Sequence, residues 1–155
     1  MTTVRVALVD VYVLRGRGEQ LELLLLRRSA RGPRAGSWEM VHGHIDPGET
    51  PVGTARRELL EETGCTAAAL YNLSRVDQFY LHATDEIDLI PVFAAFIADD
   101  AVVRVSEEHD LHRWLTPAEA QALCTWPRAV EGIAAVVRLL RSGSAETVEG
   151  VLRVD

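Results

Sequence analysis

Three glutamates on one predicted helix are the residues of this chain best placed to do chemistry. Glu58, Glu61 and Glu62 recur at spacings of three and four, so on a helix all three carboxylates leave the same side. Like charges at those spacings repel by about 0.2–0.5 kcal/mol per pair. Glu61 and Glu62 also lie just before Gly64, near the helix end at which the dipole disfavours acids. Because this segment breaks two local rules, we interpret it as a candidate site at which a divalent cation supplies the compensation.

The ligand type indicates the ion and the reaction. Clustered carboxylates without nearby cysteine ligands favour a hard cation, Mg²⁺ or Mn²⁺. Such ions share phosphate oxygens with a substrate, neutralise its charge and lower the pKa of a bound water. Phosphoryl or nucleotidyl transfer to water is therefore the leading reaction class. Taken alone, however, an acidic cluster of this kind is more often a solvated helix face.

Capping signals define the helix that carries the glutamates. Thr50 is placed at the N-cap, Pro51 at the first helical position and Gly64 at the stop. The apolar residues of this helix fall on an arc beside the carboxylates, so one face can pack while the other serves chemistry. They are Val52, Ala55 and Leu59.

Strand-like runs flank this helix on both sides. Alternating and β-branched patterns predict strands over 4–14, 21–26, 38–45, 74–81 and 87–98, with a hairpin turn over 16–20 and a loop over 29–37. Capping and proline signals predict helices over 116–123 and 126–141, whereas 147–154 is interpreted as a last strand or a disordered tail. This order predicts an α/β or α+β sandwich in which helices cover a mixed sheet.

The composition bounds the class of protein. With 155 residues, of which 48% are apolar and 25% charged, the chain is interpreted as one globular domain over 1–155, with 144–155 as a flexible tail or edge strand. No apolar run is long enough for a membrane span, and Asp10 interrupts the only stretch that could serve as a signal peptide. Two cysteines form no disulfide framework, which favours the cytoplasm. A net charge of -7 argues against nucleic acid as a partner.

The segment around the glutamates resembles the motif of a known family. Residues 43–65 match the Nudix box without a gap: Gly, five residues, Glu, seven residues, then Arg-Glu-apolar-x-Glu-Glu-x-Gly-apolar. The matching residues are Gly43, Glu49, Arg57, Glu58, Leu59, Glu61, Glu62, Gly64 and Cys65. The resemblance implies a Nudix-type α/β/α sandwich with a mixed sheet. It also implies hydrolysis of a nucleoside diphosphate linked to another moiety, with Mg²⁺ or Mn²⁺.

Carried over by position, the resemblance implies a role for each residue of the box. The implied metal ligands are Glu58, Glu61 and Glu62, and the resemblance implies that one of them also activates the water. Arg57 is implied to brace the loop against the helix through Glu49, and its guanidinium would orient the ligands. Gly43 and Gly64 support the site. The residue before the box glycine lends a backbone carbonyl to the metal in this family, and here that residue is His42 rather than the commoner glycine.

The second half of the chain carries a further resemblance. Residues 106–109, 114–115, 118–120 and 126–127 are similar to the dihydroneopterin triphosphate and dATP pyrophosphohydrolase branch of the Nudix family. In that branch a glutamate in the loop before the tryptophan strand can join the metal site. Glu108 is the matching residue here, and its neighbour Glu107 is the alternative.

Four residues are candidates for contact with the substrate. Arg27 and Arg34 belong to an arginine cluster before the box and could reach phosphate, although a solvated basic loop is the alternative. Trp38 and Tyr80 could stack a base, although large aromatics in strands are more often core residues. The His42 side chain shares a strand face with that of His44, but no third zinc ligand is close in sequence.

The leading functional hypothesis is a metal-dependent pyrophosphohydrolase that acts on a nucleoside triphosphate-type substrate. Dinucleoside polyphosphates and ADP-ribose-type nucleoside diphosphate derivatives are the alternative substrates. A non-catalytic nucleotide-sensing module is disfavoured because it has little reason to retain repelling carboxylates. An isoprenoid diphosphate isomerase is disfavoured because it needs a catalytic cysteine and a longer chain. The tail from Thr147 could add a strand to a partner, so the sequence allows a homodimer.

Overall fold

A mixed sheet flanked by helices forms the framework of the protein. The computed structural model describes residues 1–155 and contains one eight-stranded sheet. The strands are β1 (Thr3–Val6), β2 (Leu8–Arg15), β3 (Glu22–Arg28), β4 (Trp38–Glu39), β5 (Val41–His44), β6 (Ala69–Leu81), β7 (Glu86–Phe96) and β8 (His109–Leu115). The helices are α1 (Pro51–Thr63), α2 (Pro117–Leu123), α3 (Pro127–Leu140) and α4 (Glu149–Leu152). The predicted α/β architecture is therefore confirmed.

Alternation along the buried strand β2 separates two apolar cores. Its odd-numbered valines pack with Leu59 of α1 in one core, whereas Tyr12 and Leu14 pack with Ile133 of α3 in the other. Because successive side chains of a strand point to opposite faces, one strand supports a helix layer on each side. The acidic helix and α3 consequently lie on opposite faces of the sheet.

The sheet splits open at the place where the candidate site lies. Strand β2 pairs antiparallel with β3 at Val13–Arg15, near their hairpin turn, and with β5 at Leu8–Val11. Strand β3 instead pairs with β4 through Leu26 and Arg27. The continuous segment 38–44 thus crosses from β3 to β2. This crossing places His42 directly opposite Asp10 and leads the chain into α1.

Three predicted strands differ from the observed ones by a division or by a start several residues away. The run 4–14 divides at Ala7 because its two halves pair in parallel with different parts of β7. The run 38–45 divides at Met40 where the chain changes partner strand. Strand β6 begins at Ala69, earlier than predicted, and the pairing is interrupted between Asn72 and Val76.

The C-terminal segment is a correction to the sequence analysis. Residues Glu146–Val148 form a 3-10 turn that leads into α4, so 147–154 is neither a regular strand nor a free tail. The reason is burial. Leu152 packs into the core that contains Ile133 of α3 (the α3-side core), and the hydroxyl of Tyr71 donates to Glu149 at 2.8 Å. The segment forms only one isolated β-bridge with the sheet, from Arg153 to Tyr71. None of the helices has the length and apolar character needed to cross a membrane.

Candidate active site

Helix α1 presents its glutamates in two directions. The hydroxyl of Thr50 accepts from the Gly53 N–H at 3.1 Å, and Gly64 ends the helix in the left-handed region at φ 72°, so the predicted caps are confirmed. The side chains of Glu58 and Glu62 are buried, whereas that of Glu61 is 56% exposed. The pair spaced by one full turn therefore faces inward, and the third carboxylate lies at the rim.

Arg57 ties the helix to the loop that precedes it. Its guanidinium donates to both carboxylate oxygens of Glu49, at 2.8 and 2.9 Å, and to the backbone oxygen of His44 at 2.9 Å. A further nitrogen donates to Glu58 at 2.8 Å and to Glu61 at 3.2 Å. The hydrogen bonds from Arg57, with that from a neighbouring threonine, lower the pKa of Glu49 to about 2. The bonds that Arg57 donates to Glu49 and Glu58 raise the pKa of Arg57, so the pair of Arg57 and Glu49 is fully ionised.

Gly43 allows the helix to approach the sheet closely. A Cβ added at Gly43 would collide with the carboxylate group of Glu58. The glycine of the box is therefore required by the space that Glu58 occupies over β5, and not by an unusual turn. Since this carboxylate also accepts from Arg57, the position of Glu58 is fixed from two sides.

Glu62 is a buried carboxyl group that has no ion-pair partner. Its Oε2 atom is buried and has no hydrogen-bond partner. Burial raises the pKa of Glu62 to about 9, with further contributions from the nearby charges of Glu58, Glu39 and Glu108. Burial likewise raises the pKa of Glu58, against the opposing effect of Arg57. A buried oxygen without a partner is costly, and a cation is the group that would satisfy it.

The set of donors fits a hard divalent ion. Glu58, Glu62 and Glu108 line one cleft, and all of them offer carboxylate oxygens. No group of three acidic, histidine or cysteine side chains already converges on one point, so an ion would draw the carboxylates together. Glu108 is paired with Arg28 at 3.0 Å, but its side chain is 62% exposed. This exposure leaves the Glu108 side chain room to move. The imidazole of His42 is committed to Asp10 at 2.6 Å, so only its backbone carbonyl is a candidate ligand.

The cleft has a volume of about 490 Å³ and extends from α1 to the start of α3. Among the residues predicted to touch the substrate, it contains Arg34 but not Arg27, Trp38 or Tyr80. Arg27 pairs with an aspartate at 2.7 Å on the surface. Trp38 packs against the α3-side core, and Tyr80 is exposed with its hydroxyl bonded to Asp85.

The aromatic residues of the cleft are ones that sequence reasoning did not select. Phe79 and Trp126 line it, and their rings meet edge to face with centroids 6.1 Å apart. Phe79 is the neighbour of Tyr80, so the predicted aromatic contact was wrong by one residue. Because successive residues of a strand point to opposite faces, Tyr80 points away from the cleft that Phe79 lines. Trp126 was interpreted as the start of a helix and as part of the second resemblance, but not as a substrate contact. No local signal distinguishes a capping tryptophan from one that lines a cleft.

A buried ionic network lies behind the carboxylates. Glu39, which is 1% exposed, accepts from Arg28 at 2.7 Å and from the Trp126 indole at 3.3 Å, and it lies 3.3 Å from the His109 ring. Arg28 also reaches Glu108. Glu39 is therefore linked both to a carboxylate of the cleft and to an aromatic wall. Burial opposes its ionisation, but the bonds from His109, Arg28 and Trp126 lower the net pKa of Glu39.

Three relatives of known name are similar to this chain. An octanoyltransferase of Myxococcus xanthus is 36% identical over 114 residues, which are 69% of this chain but only 30% of that protein. The asymmetrical bis(5'-nucleosyl)-tetraphosphatase of Rattus norvegicus is 36% identical over 102 residues, 64% of this chain and 67% of the relative. An isopentenyl-diphosphate Delta-isomerase of Corynebacterium diphtheriae is 33% identical over 116 residues, 70% of this chain and 62% of the relative. The chain thus spans less than a third of the first relative.

Solved structures share the fold. A C. elegans Ap4A hydrolase in a binary complex superposes with a TM-score of 0.70 at 22% identity, covering 84% of this chain and 94% of that one. The E. coli dihydroneopterin triphosphate pyrophosphohydrolase superposes with a TM-score of 0.66 at 21% identity, covering 89% and 99%. The family model for the NUDIX domain matches residues 4–136. Because the family model matches most of the chain, the protein belongs to the NUDIX family.

Proposed function

We propose that this protein hydrolyses a phosphoanhydride bond of a nucleoside triphosphate-type substrate and depends on a divalent metal ion for that activity. The observation that carries the proposal is the pair of buried carboxylates at the cleft, Glu58 and Glu62, with one oxygen of Glu62 lacking any partner. A structural domain gains nothing from this arrangement, because a buried carboxyl oxygen without a hydrogen-bond partner is destabilising.

Glu58, Glu62 and Glu108 would hold Mg²⁺ or Mn²⁺, together with the backbone carbonyl of His42. Glu61 would join them if it left its contact with Arg57, which at 3.2 Å is the longest that this arginine makes with a glutamate of α1. When bound, the ion neutralises phosphate charge and lowers the pKa of a coordinated water.

The residues of the chain have separate tasks in the reaction. Arg57 is a positioning residue that fixes Glu58 against the loop. Arg34, which lines the cleft and has no carboxylate partner, would contact phosphate oxygens. The water oxygen bonds to phosphorus, and the bridging phosphorus–oxygen bond breaks. The leaving phosphate keeps that electron pair, and a cleft carboxylate accepts the proton of the water.

Dinucleoside polyphosphates are the second candidate substrates. They are favoured by the similarity to the rat tetraphosphatase and by the fold shared with the C. elegans Ap4A hydrolase. Isomerase chemistry that needs a reactive cysteine is disfavoured despite the corynebacterial relative. Cys65 is buried in the α1-side core, and Cys124 lies against the backbone oxygen of Trp38, so neither thiol lines the cleft.

A panel of nucleotides tests the proposal. Nucleoside triphosphates, diadenosine tetraphosphate and ADP-ribose are incubated with Mg²⁺, with Mn²⁺ or with EDTA, and the products are separated by chromatography. We expect turnover only with metal, and a fall of about 100-fold or more in Glu62→Gln. Glu19→Gln, at a side chain 93% exposed and outside the cleft, is the matched control and should retain activity. Full activity of Glu62→Gln, or turnover in EDTA, would contradict the proposal.

The proposal also covers the cellular compartment and the binding partners of the enzyme. We place the enzyme in the reducing cytoplasm, acting on a small nucleotide without nucleic acid or membrane as a partner. Its two cysteines are free, in agreement with a reducing setting. Whether two copies associate is tested by light scattering of the purified protein.

A further inference from the structure

A fully buried aspartate lies behind the residues that line the cleft. Asp10 is 0% exposed and has two partners. The ring of His42 approaches it at 2.6 Å, and the guanidinium of Arg128 donates to it at 2.8 and 3.3 Å. Both partners line the cleft, whereas Asp10 does not. The aspartate therefore acts on the cleft only through the groups that it holds.

Asp10 leaves one edge of the Arg128 guanidinium free. The two bonds use the Nε atom and one N–H of Nη2. A guanidinium has five N–H groups arranged in two forks, so Nη1 and the second N–H of Nη2 form a fork without a partner in the protein. The side chain is only 14% exposed, which restricts this fork to the cleft and to the surface beside it. A held arginine with a free fork is a preorganised pair of donors.

Flat apolar surfaces surround this fork. The Arg128 guanidinium carbon lies 5.0 Å from the centre of the Trp126 ring, and Phe79 packs edge to face on that ring. The other apolar residues that line the cleft are Leu8, Leu81 and Ile90. Aromatic walls beside a donor pair suit a planar heterocycle better than a phosphate, because the phosphate has no face to stack.

We propose that this region is a nucleobase subsite and that Arg128, held by Asp10, selects 6-oxopurines over adenine. The proposal rests on the proposed function, since it names the base of the nucleotide that the same cleft hydrolyses. The O6 and N7 atoms of guanine or hypoxanthine are two adjacent acceptors that match an arginine fork. Adenine offers N7 but carries an amino donor in place of O6, which would meet an N–H of Arg128. A bidentate match of this kind gives discrimination of about tenfold or more.

Calorimetric titration with GMP, IMP and AMP, in buffer with Mg²⁺ and in buffer with EDTA, tests this selection without hydrolysis. We expect the wild-type protein to bind GMP and IMP about tenfold or more tightly than AMP. Arg128→Lys keeps a positive charge for Asp10 but lacks the fork, so it should fold and lose the preference. Arg138→Gln, on the same helix but outside the cleft, is the control and should keep it. Thermal unfolding of each variant shows that it is folded.

The outcomes separate base recognition from a phosphate contact. Equal binding of the three nucleotides by the wild type, or an unchanged preference in Arg128→Lys, would overturn the proposal. If Arg128→Lys weakened all three nucleotides by the same factor, the fork would contact phosphate and the base subsite would be wrong. Hydrolysis without base preference refutes this inference alone. Base preference in binding without hydrolysis of any nucleotide refutes the proposed function alone.

Discussion

The substitution Glu39→Gln tests whether the buried network behind the cleft holds the site in place. It removes one negative charge and preserves the shape of the side chain. Glu39 is 1% exposed, and it accepts hydrogen bonds from Arg28 and from Trp126. Arg28 is itself buried, so the substitution leaves its guanidinium with Glu108 as its only carboxylate partner.

The structure sets the size of the expected effect. Breaking a buried ion pair by removing one partner typically destabilises a protein by about 3–5 kcal/mol. Glutamine keeps one acceptor and Arg28 keeps Glu108, so we expect the lower end, about 3 kcal/mol. With a urea m-value of about 2 kcal/mol per M, the unfolding midpoint should fall by about 1.5 M. That is a large part of a typical total stability of about 5–15 kcal/mol.

Urea unfolding followed by circular dichroism measures this loss, and an exposed pair provides the matched control. Arg15 and Glu22 are 2.6 Å apart, but their side chains are 30% and 34% exposed. Because solvent screens such pairs, Glu22→Gln should change the free energy of unfolding by no more than about 1 kcal/mol. If Glu39→Gln cost no more than Glu22→Gln, the burial argument would be wrong.

The pH dependence of the stability difference between the wild type and Glu39→Gln gives a second check. The hydrogen bonds to Glu39 lower its pKa in the folded protein below its value in the unfolded chain. The charge of Glu39 therefore stabilises the fold above the ordinary glutamate pKa, and this contribution is lost as the pH falls through the folded value. The wild type and Glu39→Gln should converge in stability towards acid pH. A difference that stayed constant down to pH 3 would contradict an ionised Glu39.

Two further predictions concern Gly43 and Tyr71. Gly43→Ala should lower activity about 100-fold, because its methyl group would displace the carboxylate of Glu58, while stability changes little since that carboxylate can swing aside. Gly150→Ala, where an added Cβ meets nothing, is the control in the nucleotide assay, and equal activities would count against the close approach. Burial, with the bond to Glu149, raises the pKa of Tyr71 to about 12. The stabilisation of the fold by the protonated hydroxyl is therefore complete below pH 10 and is lost as the pH rises from 10 to 12. Denaturation of Tyr71→Phe should show a smaller loss of stability over that range, and identical slopes for the two proteins would argue against this role.

The acidic helix could be predicted because its determinants are local. An N-cap threonine, a proline at the next position and a stop glycine act within one or two turns, and the structure has all of them. The same holds for the capping box at Thr116. The spacing of the glutamates also placed them correctly on one side of the helix. It could not show that Glu58 and Glu62 turn inward while Glu61 is drawn outward, because Arg57 and the split sheet decide that.

The half of the cleft around Arg128 and Trp126 could not be predicted because its contacts are distant in sequence. Asp10 and Arg128 are 118 residues apart, and Glu39 and Trp126 are 87 residues apart. They meet only because β5 lies beside β2 and α3 begins over the same edge. A signal was nevertheless present. Asp10 is a lone acid in an apolar strand, and a buried acid of that kind needs a cationic partner that only the fold can supply.

Charge pairing within the cleft explains how an anionic protein can accept an anionic substrate. Three of its arginines are already paired with carboxylates: Arg5 with Asp88, Arg28 with Glu39 and Arg128 with Asp10. Beside α1, by contrast, two carboxyl groups are buried together at Glu58 and Glu62, and Glu62 has no ion-pair partner. A bound cation would reverse the sign of that one region, while the remaining pairs keep the rest of the cleft close to neutral. Substrate binding and metal binding are thus expected to reinforce each other, since each supplies charge that the other lacks.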